Sequence, residues 1–123
     1  MSAVTRTLVV KLTAGAEAPE RASQALTVAS VALASGVAVS VWLTGEATAF
    51  ALPGRAEQVE LPHAAGFGDL RDAILAGGRL TVCTQCAARR GLTEADLLPG
   101  VRIAGAAVFV EEALADGAQA LVY

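Results

Sequence analysis

The sequence predicts a three-layer α/β/α domain built on a mainly parallel sheet of about five strands. Three observations carry that expectation. Short apolar, β-rich runs alternate with segments of helical spacing along the whole chain, the order expected of βαβ units. Each gap between such runs is long enough for the crossover helix that parallel strands require. The 123 residues suffice for one compact domain, 1–123, and are too few for two ordinary ones.

Residues 7–12, TLVVKL, read as a short buried strand that opens the fold. A loop over 13–18 leads to Pro19, which suits a first helical turn because its missing N–H would be unpaired there. In the helix that follows, Ala22, Leu26, Ala29 and Leu33 share one face, Ser23, Thr27 and Ser30 form a polar stripe, and Gly36 is the stop. Residues 37–43, VAVSVWL, are apolar enough for a strand buried on both faces. Residues 44–53 are expected to form a loop with a short helix. The stretch 53–68 is the least regular, with a short extended piece expected at 58–61. A helix over 69–76 is stopped by Gly77 and Gly78, and 79–83 form a third clear strand. Residues 84–90 are helix-forming and closed by Gly91, and 92–96 form a turn. A brief strand at 101–103, a helix at 106–115 and a last strand at 119–122 complete the chain. No internal repeat, linker or low-complexity tail is present.

Hydrophobic residues make up 54% of the chain and the mean hydropathy is +0.55, but much of this is alanine. No apolar stretch approaches the roughly 20 residues of a membrane helix; the longest, 36–43, is broken by Ser40. Residues 1–7 lack the apolar region of a signal peptide. A cytoplasmic protein is therefore expected, and there a standing disulfide is disfavoured. The net charge is −3 and the only basic cluster is Arg89 and Arg90, which argues against a nucleic-acid surface. Neither GxGxxG nor GxxxxGK[ST] occurs, so no nucleotide cofactor is expected. The apolar content is compatible with contacts between subunits.

Chemistry concentrates in VCTQCAARRG, which holds the only two cysteines, Cys83 and Cys86. Cys83 ends a strand and Cys86 falls in the helix that follows, at the sheet edge where ligands and catalytic groups gather. Residues three apart at a helix start lie on one face, within disulfide range. Free amides and the partial positive charge of a helix start favour thiolate, the reactive form. Arg89 and Arg90 add positive charge about one turn further on.

Four readings of the pair stay open: a zinc half-site, a dithiol oxidoreductase, two core thiols, or a nucleophile that accepts sulfane sulfur. A structural zinc needs four ligands in most cases. The chain offers two Cys and one His, so no metal is expected. Thr84 and Gln85 lie between the cysteines and are candidates to hydrogen-bond a persulfide. Glu46, after the second strand, is a candidate wall of a pocket on the same edge; a solvated helix start is its plainer reading. His63 is a candidate base near the thiol, against the plainer reading of a surface residue. Gly66 and Gly68 read as a helix-entry turn, and Trp42 and Phe50 as core or subunit-contact residues.

Taken together, LVVKLTAG, RASQALTVASVALASGVAVSVWLTGEA and the stretch from GDLRDAILAGG to ALVY resemble the DsrE/DsrF-like family over nearly the whole chain. The most specific part is a strand ending in Cys, a helix ending in ARRGL, an acidic turn, GV, and a final helix and strand. Sulfur-relay members of that family carry a cysteine at the strand end, eight residues before the glycine, the spacing of Cys83 to Gly91. Other versions have a second cysteine three residues on, as Cys86 is here. The resemblance implies an α/β/α sandwich, a homo-oligomer such as a trimer or hexamer, a protein as sulfur donor or acceptor, and persulfide transfer on Cys83. Cys86 would be its neighbour or resolving thiol. A Cys83 persulfide attacked by Cys86 would release sulfide and leave a disulfide. The alternative is a non-catalytic oligomeric binding or redox-sensing module that uses the same dithiol.

Overall fold

The computed structural model describes residues 6–123; residues 1–5, on which the expectation of no signal peptide partly rests, lie outside them. Strand β1 (Thr7–Leu12) leads to α1 (Pro19–Ala34), β2 (Ala38–Leu43) and two 3₁₀ segments, Gly45–Ala51 and Ala56–Gln58. Then come α2 (Phe67–Gly77), β3 (Arg79–Cys83), α3 (Thr84–Arg89) and a 3₁₀ turn, Glu94–Asp96. β4 (Arg102–Ala104), α4 (Ala106–Ala113) and β5 (Ala118–Val122) close the chain. The five strands form one sheet in the order β4-β3-β2-β1-β5, and every neighbouring pair is parallel. The expected mainly parallel sheet is thus wholly parallel.

Side chains alternate across a strand, and the register sorts them by chemistry. Val10, Leu12, Val41, Leu43, Leu80 and Val82 line one face and join Ala22, Leu26 and Ala29 of α1 and Phe67 and Ile74 of α2 in a single core. Leu33 reaches this core only partly buried. Ser23, expected on the solvated stripe, is buried, and the Ser30 hydroxyl is also buried, with no partner among the described residues. The reason is that α1 packs on α2 as well as on the sheet, which widens its buried stripe beyond the one face the spacing marks.

The opposite face carries Lys11, Ser40, Trp42, Thr81 and Arg102, and α4 lies across it. The Phe109 ring meets the Trp42 ring edge-on, with centroids 5.4 Å apart. Glu112 accepts hydrogen bonds from Ser40 Oγ at 2.6 Å, Trp42 Nε1 at 3.0 Å and Arg102 Nη2 at 2.6 Å. Arg79 stands 3.5 Å away from the same carboxylate. Burial, the largest single influence, pushes the Glu112 carboxyl up, but the bonds from Ser40, Arg102 and Trp42 outweigh it and hold the group below the usual carboxylate range. No residue of α4 is fully buried. The helix is held to its face by a polar clip more than by apolar packing.

Several boundaries differ from expectation. No strand forms at 58–61. The amides of Gln58 and Val59 instead turn back to the carbonyls of Arg55 and Ala56, at 3.3 and 3.2 Å. Glu57, in that turn, is drawn onto Arg71, a side chain buried to 2% exposure, with Arg71 Nη1 3.0 Å from Glu57 Oε1. The bond to Arg71 holds the Glu57 carboxyl below its ordinary value. β4 starts one residue later than expected because the Val101 amide closes a turn on Leu98. α4 ends at Ala113, since the Ala118 amide is already turned onto Ala115.

Candidate functional site: the carboxyl ends of β3 and β4

From β1 to β4 the chain steps across the sheet in one direction, with α1 to α3 on the apolar face. The return from β4 to β5, on the far side of β1, reverses that direction and carries α4 to the other face, as right-handed crossovers require. Two adjacent strands therefore send their helices to opposite faces: α3 leaves β3 one way and α4 leaves β4 the other. Open α/β sheets bind ligands at the carboxyl ends of strands whose connections part in this way. Cys83 is paired there with Ala104.

Cys83 is the N-cap of α3 (φ −64°, ψ 132°) and is half-buried, with a free thiol. It has the parity of Arg79 and Thr81, so its side chain leaves the sheet on the α4 face. Thr84 lies beside the entry to α4: a Cβ on Gly105, the α4 N-cap, would stand 3.8 Å from Thr84 Oγ1. Thr84 and Gln85 are exposed.

Cys86 is different. It is buried, its thiol is free, and its Sγ accepts a hydrogen bond from the Gly45 amide at 3.3 Å. Gly45 follows β2 in a left-handed conformation (φ +54°), and a Cβ on it would come within 2.9 Å of the Thr13 carbonyl oxygen. Only glycine fits that turn without strain. The neighbouring loop is equally tight, since a Cβ on Gly15 would stand 2.5 Å from the Glu46 carbonyl oxygen. Two glycine approaches thus dock the loops after β1 and β2 together and aim the Gly45 N–H at the Cys86 sulfur.

Arg90 straps the same corner. Its Nη1 donates to the Cys86 carbonyl at 3.2 Å and its Nη2 to Glu46 Oε1 at 3.3 Å. Cys86, Arg90 and Glu46 are thereby brought together as the sequence placed them, on one sheet edge. Arg89 is exposed, with no hydrogen bond among the described residues. His63 is exposed in a left-handed turn (φ 63°), and no hydrogen bond links it to either cysteine. α3 runs for only six residues, so its dipole is a small source of field at the thiols. The Gly45 amide is the direct donor to sulfur, and the sequence reading did not include it. The signal available was the Thr-Gly-Glu that ends β2.

Two adjoining grooves flank this corner on the apolar side. One, of about 350 Å³, runs past Glu17, Pro19, Glu46, Phe50 and Arg55. The other, of about 280 Å³, is lined by Glu46, Ala49, Leu52, Arg55, Arg90 and Leu92. A larger cavity of about 410 Å³, lined by Thr7, Ser40, Gly78, Arg79 and Glu112 among others, lies at the amino ends of the strands, the opposite end of the sheet from Cys83.

The fold is shared with solved structures. The ychN protein from E. coli superposes with a TM-score of 0.67 at 15% identity, over 98% of this chain and 100% of that one. MTH1491 of Methanobacterium thermoautotrophicum, a protein of unknown function, gives a TM-score of 0.69 at 13% identity, over 96% and 99%. At those identities the likeness speaks to fold alone. In sequence, the chain is 33% identical over 99 residues to the uncharacterized protein MJ0760 of Methanocaldococcus jannaschii. That match takes in 80% of this chain but only 36% of the relative's length. No helix among the described residues is long and apolar enough to cross a membrane. The DsrE/DsrF-like family model matches residues 7–123, from the first residue of β1 to the last residue of the sequence, and the chain belongs to that family.

Proposed function

We propose that this protein handles sulfane sulfur by forming a persulfide on Cys83, within the sulfur-relay related role that its family suggests. The observation that carries the reading is the position of Cys83: a half-buried free thiol at the strand end where α3 and α4 leave adjacent strands for opposite faces. In the step itself, the Cys83 thiolate attacks the outer sulfur of a donor persulfide, R–S–SH. A Cys83–S–SH bond forms, the donor S–S bond breaks, and the donor leaves as its thiol. Thr84 and Gln85, both exposed beside Cys83, are the candidates to hydrogen-bond the new terminal sulfur. Arg90, bonded to Glu46, ties down the Cys86 carbonyl in the same motif. Arg89 and His63 take no part in the reading. The chemistry needs both thiols reduced, so it carries with it a reducing compartment such as the cytoplasm.

The reading includes a second copy of the chain as partner. Val110 on α4, Leu114 just past its end, and Leu121 and Val122 on β5 are exposed. β5 is an edge strand without a charged residue from Ala118 to Val122. An exposed apolar edge strand is otherwise an aggregation hazard, and a homo-oligomer, trimer or hexamer, would cover it.

Intact mass after incubation with glutathione persulfide tests the assignment. The Cys86→Ser variant is expected to gain one sulfur, and Cys83→Ser to gain none. Equal gains in the two variants would remove Cys83 as the acceptor. The alternative, a redox-sensing dithiol, is favoured by one observation: the two free thiols lie three residues apart across a helix start. It is expected to show only the loss of two hydrogens on oxidation, with no added sulfur in any variant.

A further inference from the structure

The two thiols of the motif are not equivalent, and the difference assigns a direction to the chemistry. Cys83 is the more open. Cys86 is buried to 8% exposure and is the one whose sulfur receives a backbone N–H. An N–H donor strengthens its bond as the acceptor gains negative charge. The Gly45 amide is therefore a partner for the charge that develops on the Cys86 sulfur as it attacks or leaves. A mobile donor would be a weak device, but this one is fixed. Its residue sits in a left-handed turn against the Thr13 carbonyl, and the adjoining loop is locked by the Gly15 approach to Glu46. The Arg90 bond to the Cys86 carbonyl anchors the other side of the same residue.

We infer that Cys86 is a discharging thiol: the protein does not hold the sulfane sulfur but releases it as hydrogen sulfide. This rests on the persulfide reading above and deepens it. Cys83 is the N-cap and Cys86 the third residue of α3, so their Cα atoms are about 5–6 Å apart, inside the range a disulfide spans. The Cys86 thiolate attacks the inner sulfur of Cys83–S–SH. A Cys83–Cys86 bond forms, the bond to the outer sulfur breaks, and HS⁻ leaves with its electron pair and takes up a proton from solvent. The sulfane sulfur is reduced and the two protein thiols are oxidised, which balances the step without another reactant.

Turnover needs an external dithiol as reductant. Its thiolate attacks Cys83, the open sulfur, and Cys86 leaves as the thiolate onto the waiting Gly45 amide. A second thiolate of the reductant then closes its own disulfide and frees Cys83. The asymmetry serves both steps, with the accessible sulfur as electrophile and the amide-held sulfur as the charged partner.

The test uses the reduced full chain with one equivalent of glutathione persulfide, following trapped sulfide and intact mass together. Wild type is expected to release sulfide and lose two hydrogens. Cys86→Ser is expected to keep one added sulfur and release sulfide at least tenfold more slowly. Gly45→Ala, which strains the turn that aims its amide at the Cys86 sulfur, is expected to slow discharge several-fold more than it slows loading of Cys83. Damage to the fold alone would lower both rates. Wild type that keeps the added sulfur, with sulfide release no faster than Cys86→Ser, would overturn the inference and leave the carrier reading intact. A Cys86→Ser variant that gains no sulfur would overturn the carrier reading and, with it, this one.

Discussion

The two faces of the sheet are built by different physics. On one, valines and leucines of β1 to β3 meet α1 and α2 in a core whose members are almost wholly shielded from water. On the other, α4 crosses serine, threonine, tryptophan and arginine, and is held through one carboxylate and two aromatic rings. Lys11 Nζ lies 5.1 Å from the Phe109 ring centroid and the Arg102 guanidinium 5.3 Å from that of Trp42, reinforcing that clip. The lesson is that the thin face turns Phe109 inward onto Trp42 but leaves other apolar side chains outward. Val110 and Leu114 are exposed on the far side of α4, where a helix bound by apolar packing would have turned them inward. One face buries the core, and the other leaves apolar side chains exposed.

The sharpest way to break this comparison is to injure each face in turn. Leu43→Ala, at a fully buried position of the apolar face, is expected to cost roughly 2–5 kcal/mol, from lost transfer energy plus the cavity left behind. Urea unfolding measures it, and a loss below about 1 kcal/mol would mean that this core is not what the burial says. Glu112→Ala, on the polar face, is expected to cost about 2–3 kcal/mol by stranding Ser40, Trp42 and Arg102. Glu112→Gln keeps acceptor capacity and should cost about half as much. If Glu112→Ala proved neutral, α4 would be held by its rings alone.

Acid sharpens the same contrast. The folded-state value of Glu112 lies below the ordinary 4.5, so its stabilisation is present above that ordinary value and is lost as pH falls through the lower folded one. The sign is the same for Glu57 beside Arg71, so wild-type acid lability mixes the two. The difference between wild type and Glu112→Gln isolates the clip. It should be constant from neutral pH down to the ordinary carboxylate range and shrink below it. A difference unchanged by acid would show that Glu112 is not bound as a carboxylate.

The contrast between the faces also explains what could be read from the chain beforehand. β1 and β3 fall on the expected residues and the other observed elements lie within a few residues of theirs, because short apolar runs and glycine stops mark them directly; the extended piece expected at 58–61 is the exception and does not form. The parallel order follows from the lengths of the connections. What the pattern could not carry were interactions made by groups with no signature. The Gly45 amide on Cys86 is a backbone donor 41 residues from its acceptor. Arg71, in a helix that reads as ordinary, is a buried cation because the turn at 56–58 brings Glu57 to it, beside the Phe50 carbonyl and Asp72. Glu112 looks like one of two solvated glutamates at the end of α4, and nothing local distinguishes it from its exposed neighbour Glu111. In the site, the motif put both cysteines and Arg90 at the end of the third strand, and the position of Glu46 after the second strand put it on the same edge. It could not separate the roles of the two sulfurs, since that difference lies in a loop after another strand.

The smallest effect on the chain's own stability is expected where the apolar surface faces outward, and it is also the one that says what this face is for. Leu114 is 79% exposed and just past the end of α4. Leu114→Glu removes no core contact and strands no polar group, so its change in unfolding free energy should stay within about 0.5 kcal/mol. If a second copy covers α4 and β5, the same substitution places a charge in a desolvated contact, where an unpaired charge is strongly unfavourable. The mass measured by light scattering should then fall to that of one chain while the far-ultraviolet spectrum is unchanged. Val122→Glu, on β5, should act in the same direction and more strongly, since it also blunts the edge that a neighbouring strand would pair with. A wild-type mass already equal to one chain, or an assembly indifferent to both substitutions, would mean that the outward apolar side chains of this face serve no contact between copies.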